Sequence, residues 1–145
     1  PDDVAFLAAL CDDLAPTYRP LESDPAPCLL HGDAHHRNAL ASRHGVLLCD
    51  VDGAVLGPAA WDLVTGYVHV RRFGFPEEDH RAFAAGYGRD LTTEPEFAVL
   101  RAVRELRMIA TNARKSAPGS PQAREVRRRV DGLRARDTER PWQIL

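Results

Sequence analysis

Apolar residues recur at helical steps along most of the chain, with an interval of a different kind between residues 28 and 50. Val4, Leu7, Cys11 and Leu14 are spaced by three and four, which predicts an amphipathic helix over residues 2–15. Four prolines between residues 16 and 27 mark a connector. Cys28-Leu29-Leu30 is a short apolar run that reads as a strand, and a polar, histidine-rich loop follows over residues 31–37. Residues 38–42 and 46–49 then flank Arg43-His44-Gly45, a glycine-containing connection of hairpin length. The stretch GAVLGPAA reads as a loop running into Trp61-Asp62-Leu63, where a helix begins. Leu63, Val64, Tyr67 and Val68 form its buried stripe, and Gly74 stops it. Further helices are predicted over residues 76–89, 95–115 and 121–136, each opening near a proline. Val99, Val103, Leu106 and Ala110 give the second of these an apolar face, and Val126, Val130 and Leu133 the third. The fold class is α+β and mainly helical: one domain over residues 1–145, in which a small β-hairpin segment is set against about five helices.

Composition changes this picture little. A chain of 145 residues can bury a core without metal or disulfide staples. Hydrophobic residues at 44% and charged residues at 28% are ordinary for a soluble globular protein. The chain holds no apolar run long enough to span a bilayer, so no membrane association is expected. The first residues carry acids where a secretory signal carries bases, and a cytoplasmic location is the expectation. Cys11, Cys28 and Cys49 make an odd count without a C-x-x-C pair, so they read as small buried residues in a reducing compartment. Residues 101–140 contain twelve Lys or Arg against five Asp or Glu. Such a balance raises a nucleic-acid partner. Arginines covering the wet face of amphipathic helices and pairing with acids elsewhere explain it better, and no nucleic-acid partner is expected.

The chemistry concentrates in residues 28–63, CLLHGDAHHRNALASRHGVLLCDVDGAVLGPAAWDL. Phosphoryl transfer from ATP needs a carboxylate beside the attacking hydroxyl and oxygen ligands that hold Mg²⁺ against the phosphates. Protein kinases arrange these groups as H-R-D-x-x-x-x-N, a hairpin and a second Asp. Here Asp33, in His31-Gly32-Asp33, precedes Asn38 by the same step, and Asp50 closes a hairpin-length segment. A turn centred on His44 would set Asn38 opposite Asp50 at the open end of the ribbon, with Cα atoms about 5 Å apart. An amide oxygen and a carboxylate would then lie where one cation could bridge them.

HGDAHHRN resembles the H-G-D-x-x-x-x-N catalytic loop of aminoglycoside phosphotransferases, choline kinases and their relatives. LLCDVDGAVLGPAAWDL resembles the I-D-x-x-x-x-x-x-G-P-x-x-x-D-L segment of the same family. The resemblance implies the C-terminal lobe of a protein-kinase-like fold and transfer of the γ-phosphate of ATP to a small-molecule hydroxyl, with Mg²⁺ as cofactor. It implies that Asp33 is the catalytic base or orients the hydroxyl, and that Asn38 and Asp50 are the Mg²⁺ ligands. His35 falls on a loop histidine common in the family and is assigned to cofactor binding. Asp62 matches an Asp at the start of the next helix, where it would cap backbone N–H groups. The acceptor would be aminoglycoside-like or choline-like, with Glu77, Glu78 and Asp79 as an acidic wall or as a solvated helix start.

Blander roles compete with these. His31, Trp61 and Tyr67 read as structural, and Asp52 is divided between metal contact and loop capping. A zinc site built from Cys28, His31, His35, His36, His44 and Cys49 lacks the usual ligand spacing. The family's N-terminal lobe supplies a strand-borne Lys, yet the chain's one lysine is Lys115, late in a predicted helix. Its Gly86-Tyr87-Gly88 lies in a helical pattern. The nucleotide lobe is therefore expected to be absent and the activity of the chain alone to be impaired. The first rival is a kinase-like remnant that binds or oligomerises, with a homodimer formed through the surface that lobe would cover. The second is a phosphohydrolase built on Asp33, Asp50 and Asp52.

Overall fold

Five α-helices and two small antiparallel sheets make up the computed structural model, which describes residues 2–22, 27–88 and 91–145. The fold is accordingly α+β and mainly helical. Helix α1 spans Asp2–Glu22, α2 Ala60–Phe73, α3 Glu77–Tyr87, α4 Pro95–Lys115 and α5 Pro121–Arg134. Strand β1 (Cys28–Leu30) pairs with β4 (Val55–Gly57), and β2 (Ala39–Ser42) pairs with β3 (Gly45–Leu48). No described helix is long and apolar enough to cross a membrane.

The later helices open and close close to where sequence places them. Pro95 and Pro121 sit in the first turns of α4 and α5, where their missing N–H costs nothing. Ser120 caps α5 by accepting from the Ala123 amide at 3.1 Å. Gly74 closes α2 in the left-handed conformation, and Leu63, Val64 and Val68 are buried beneath it.

Three expectations fail for tertiary reasons. Helix α1 does not end at residue 15 but runs through Pro16 and Pro20 to Glu22. Tyr18 and Leu21 of this extension pack on the main core, and that burial outweighs the backbone bonds the prolines forgo. The stretch read as a loop before α2 contains β4, whose backbone partner β1 lies nearly thirty residues earlier. Helix α4 turns Phe97, Leu100, Arg104, Glu105 and Ile109 fully inward, while of the predicted stripe Val99, Val103 and Leu106 are half-buried, Val103 packs on the core, and Ala110 is exposed. Cys11 also departs from its expected burial: it is exposed, while Cys28 and Cys49 are half-buried, and all three are free thiols.

One core forms where β1, α2 and α4 meet, around Leu30, Trp61, Leu63, Val64, Phe97 and Leu100. A second gathers Ile109, Val130 and Trp142 beside Phe6 and Phe73. Arg72 joins the two. It is 2% exposed, meets Glu105 through two hydrogen bonds of 2.8 and 2.7 Å, and donates to the Asp137 carbonyl at 2.8 Å. Much of the basic C-terminal third is spent on such pairs. Arg129 and Arg128 meet Glu125 at 3.0 and 2.7 Å, and Arg134 meets Asp3 at 3.1 Å.

Candidate active site

The loop between β1 and β2 carries the candidate chemistry, and it is pinned from beneath. Asp62, in the first turn of α2, accepts the His31 amide at 2.8 Å and the Gly32 amide at 2.9 Å. The sequence reading made Asp62 a cap of its own helix. Instead its carboxylate reaches across to the β1–β2 loop, two backbone donors to one buried anion. Trp61 Nε1 donates to the Gly32 carbonyl at 3.2 Å, so this core indole also fastens the loop. Gly32 has φ +83°, and a Cβ there would overlap the Gly53 carbonyl oxygen, so only glycine fits. His31 completes the anchor. Its Nε2 donates to the Cys49 carbonyl at 2.9 Å, and its Nδ1 accepts from the Asp33 amide at 3.4 Å.

Asp33 emerges from this anchored turn with its carboxylate partly exposed. Its Oδ1 is paired with the Arg104 guanidinium of α4, and its Oδ2 lies 3.7 Å from His35 Nε2. His35 Nδ1 accepts from the Arg37 amide at 3.2 Å, which leaves Nε2–H facing Asp33. His35 and Arg104 together hold the Asp33 carboxyl well below the usual carboxylate range, against the opposing effect of burial. Arg104 was not singled out from the sequence as a site residue. The available signal was a charged pair, Arg104-Glu105, within an otherwise apolar helical stripe that also holds Phe97, Leu100 and Ile109.

The expected facing of Asn38 and Asp50 is corrected. Ser42 pairs with Gly45 and Ala39 with Leu48, so Arg43-His44 alone form the loop and the register shifts by one residue. Ser42 Oγ fixes this tighter turn, accepting from the His44 amide at 3.2 Å and donating to the Gly45 carbonyl at 2.8 Å. Asn38 therefore lies opposite Cys49, whose amide donates to the Asn38 carbonyl at 2.9 Å. Asp50 follows in the left-handed conformation, with φ 59° and ψ 49°, and leaves the ribbon.

A cavity of about 380 Å³ brings together Asp33, His35, Asp50, His69, Arg104 and Arg107. Asn38 lines a neighbouring cavity, and its Nδ2 donates to the Asp33 carbonyl at 3.0 Å. That bond spends the amide nitrogen and leaves the oxygen as a lone-pair donor. The carboxylates of Asp33 and Asp50 and the Asn38 amide are hard oxygen donors, the chemistry Mg²⁺ takes. Asp52 is exposed and does not line this cavity, so the three-carboxylate arrangement for a phosphohydrolase is not assembled. No group of three or more His, Cys, Asp or Glu among the described residues is placed to hold a metal ion, so the Cys/His zinc set does not converge.

His69, from α2, lies on the wall of both cavities and was not singled out in the sequence. Its ring packs 4.8 Å from that of His35 and 5.4 Å from Phe75. Burial lowers its pKa to about 4, helped by His35, Arg104 and His36 and opposed by Asp33. The unfolded chain would thus bind a proton at His69 that the native state refuses. Stability is expected to fall as pH drops from about 6.5 toward 4, and further below pH 4 as Asp33 of the unfolded chain takes up a proton that the native carboxylate resists. Urea unfolding midpoints measured from pH 7.5 to 4.5 check this, and His69→Phe should flatten the upper part of the decline.

Comparison with curated proteins and with solved structures gives no match. A family model described as the phosphotransferase enzyme family matches residues 1–106, which span the whole of residues 28–63 and reach Arg104 and Glu105 on α4. With nearly three-quarters of its length covered by that match, the chain belongs to the phosphotransferase enzyme family.

Proposed function

We propose that this chain is the catalytic-loop lobe of a protein-kinase-like phosphotransferase, which moves the γ-phosphate of ATP to a hydroxyl of a small molecule with Mg²⁺ as cofactor. The observation that carries the reading is the placement of Asp33. Its carboxylate stands on a loop fixed by Asp62, Trp61 and His31, and opens onto a cavity that also holds Asp50 and two arginines.

Asp33 is kept ionised by Arg104 and His35, which makes it a weak base and a good acceptor of a hydrogen bond. Its first task is therefore to orient the acceptor hydroxyl toward phosphorus, a role suited to a loose phosphoryl-transfer transition state. The hydroxyl oxygen bonds to the γ-phosphorus as the bond to the β,γ-bridging oxygen breaks. The hydroxyl proton passes late to Asp33 and then to solvent. Asn38 and Asp50 would hold Mg²⁺, which when bound neutralises charge on the phosphate oxygens. Lys115 is exposed near the end of α4, so Arg104 and Arg107 meet phosphate charge in this cavity. His35, beside Asp33, is assigned to the nucleotide phosphates.

Mn²⁺ with a non-hydrolysable ATP analogue should broaden the amide signals of residues 33, 38 and 50 before all others, and Asp50→Ala should remove that effect. Asp33→Asn should reduce phosphate transfer to an acceptor alcohol by about 10²–10⁴-fold. Broadening centred elsewhere, or an unchanged rate in Asp33→Asn, would sink the reading.

A second reading, a binding or homodimerising module without turnover, draws on the strands. Leu29 and Val46 are 75% and 70% exposed, and Leu40, Leu47, Leu48 and Leu56 are exposed as well. Light scattering combined with Mg²⁺-ATP titration separates the two. A dimer that ignores Mg²⁺-ATP would favour the second.

A further inference from the structure

The larger of the two cavities at this site has a volume of about 500 Å³ and lies between the β2–β3 ribbon and helices α2 and α3. Its walls are chiefly apolar: Val46 and Leu48 from the ribbon, Val70 from α2, Phe75 from the connection after it and Phe83 from α3. The rings of His36 and Phe75 meet edge to face at 4.6 Å, which gives part of this wall a fixed aromatic shape. The volume and lining are those of a small-molecule pocket, with a few polar groups to set orientation.

The polar groups present are mostly imidazoles. Asp79 is the one carboxylate on this wall, and it is exposed at the start of α3, where water screens it. Glu77 opens onto a different cavity beyond α3. The acidic wall anticipated from Glu77, Glu78 and Asp79 is therefore not built around this space. The adjoining cavity sets Arg104 and Arg107 against Asp33 and Asp50, so it adds no uncompensated negative charge on the far side. Within the apolar space a polycation would meet one screened anion, and the two carboxylates of the adjoining cavity already face two guanidinium groups.

His35 and His69 line both cavities, so they form the partition between the apolar space and the space that holds Asp33. His69 Nδ1 is buried without a hydrogen-bond partner among the described residues.

We propose that the phosphate acceptor is a neutral alcohol with an apolar or aromatic body, its body held between the ribbon and α2–α3 and its hydroxyl directed past His69 toward Asp33. The assignment rests on the phosphotransferase reading and names the acceptor class within it. It excludes aminoglycoside-like polyamines, and it excludes a quaternary ammonium alcohol, which would need a closed aromatic cage or a close anion.

Nuclear magnetic resonance on the whole chain tests it, following the ring signals of His36, His69, Phe75 and Phe83 with three probes. 2-Phenylethanol should shift these signals saturably, while choline and neamine at equal concentration leave them in place. Val70→Phe, which fills the cavity, and Phe83→Ala, which removes a rim contact, should each weaken 2-phenylethanol by tenfold or more. Shifts produced by choline or neamine and not by 2-phenylethanol would overturn the proposal, as would silence from all three. Mn²⁺ broadening at residues 33, 38 and 50 reports on the phosphotransferase reading separately. If the alcohol binds without that broadening, the phosphotransferase reading fails while the cavity's selectivity for neutral alcohols stands. The reverse pattern overturns the acceptor class alone.

Discussion

Replacing Glu105 with alanine is expected to lower the free energy of unfolding by about 3–5 kcal/mol, a large share of what a domain of this size has. Arg72 would be left with its charge buried between α2 and α4 and its one carboxylate partner, with two hydrogen bonds, gone. The remaining bonds, to the carbonyls of Asp137 and Arg140, do not neutralise it. The same guanidinium lies 4.9 Å from the Trp142 ring centroid, so the C-terminal segment should loosen in the same variant. Urea denaturation measures the first effect, and amide exchange of residues 137–142 the second. A double variant, Arg72→Met with Glu105→Leu, should recover most of the loss, because a buried ion pair and a well-packed apolar pair are of similar worth. A loss under 1 kcal/mol for Glu105→Ala would mean that water reaches Arg72.

Asp62→Ala should detach the catalytic loop from the helix that supports it. Two backbone donors lose a buried carboxylate, at a cost of about 2–4 kcal/mol in stability. The effect on chemistry is expected to be larger than that number implies, because Asp33 is aimed by the turn those bonds hold. Asp62→Asn keeps one acceptor and sets its amide nitrogen against the other N–H, so it should lie between wild type and alanine. Stability read by thermal unfolding, together with the resonances of His31 and Gly32, tests this order. Phosphate transfer should follow the same ranking. If Asp62→Ala leaves the Gly32 amide as protected from exchange as in wild type, the anchoring role is wrong.

Local sequence was most legible where one element satisfies its own backbone. The boundaries of α2, α4 and α5 followed from Gly74, Pro95 and Pro121, each of which acts within a turn of its own position. The candidate segment was legible as spacing, and Asp33 and Asp50 line one cavity. Its fine geometry was not legible. A hydroxyl bond from Ser42 chose a two-residue turn over the expected three, and that moved Asn38 from Asp50 to Cys49. A shift of one residue in register exchanges every facing pair, so a turn choice of small energy decides it.

The chain by itself determined the mainly helical α+β class, the helical periods and the step from Asp33 to Asn38, because these depend on neighbours a few positions apart. Tertiary structure alone decided that α1 continues through two prolines, that β4 finds β1, and that Arg104 and Asp62 converge on one loop. Those outcomes depend on burial and charge pairing between segments 30–70 residues apart in the chain. No local pattern encodes them, because the free energy that selects each one exists only after the partners have met.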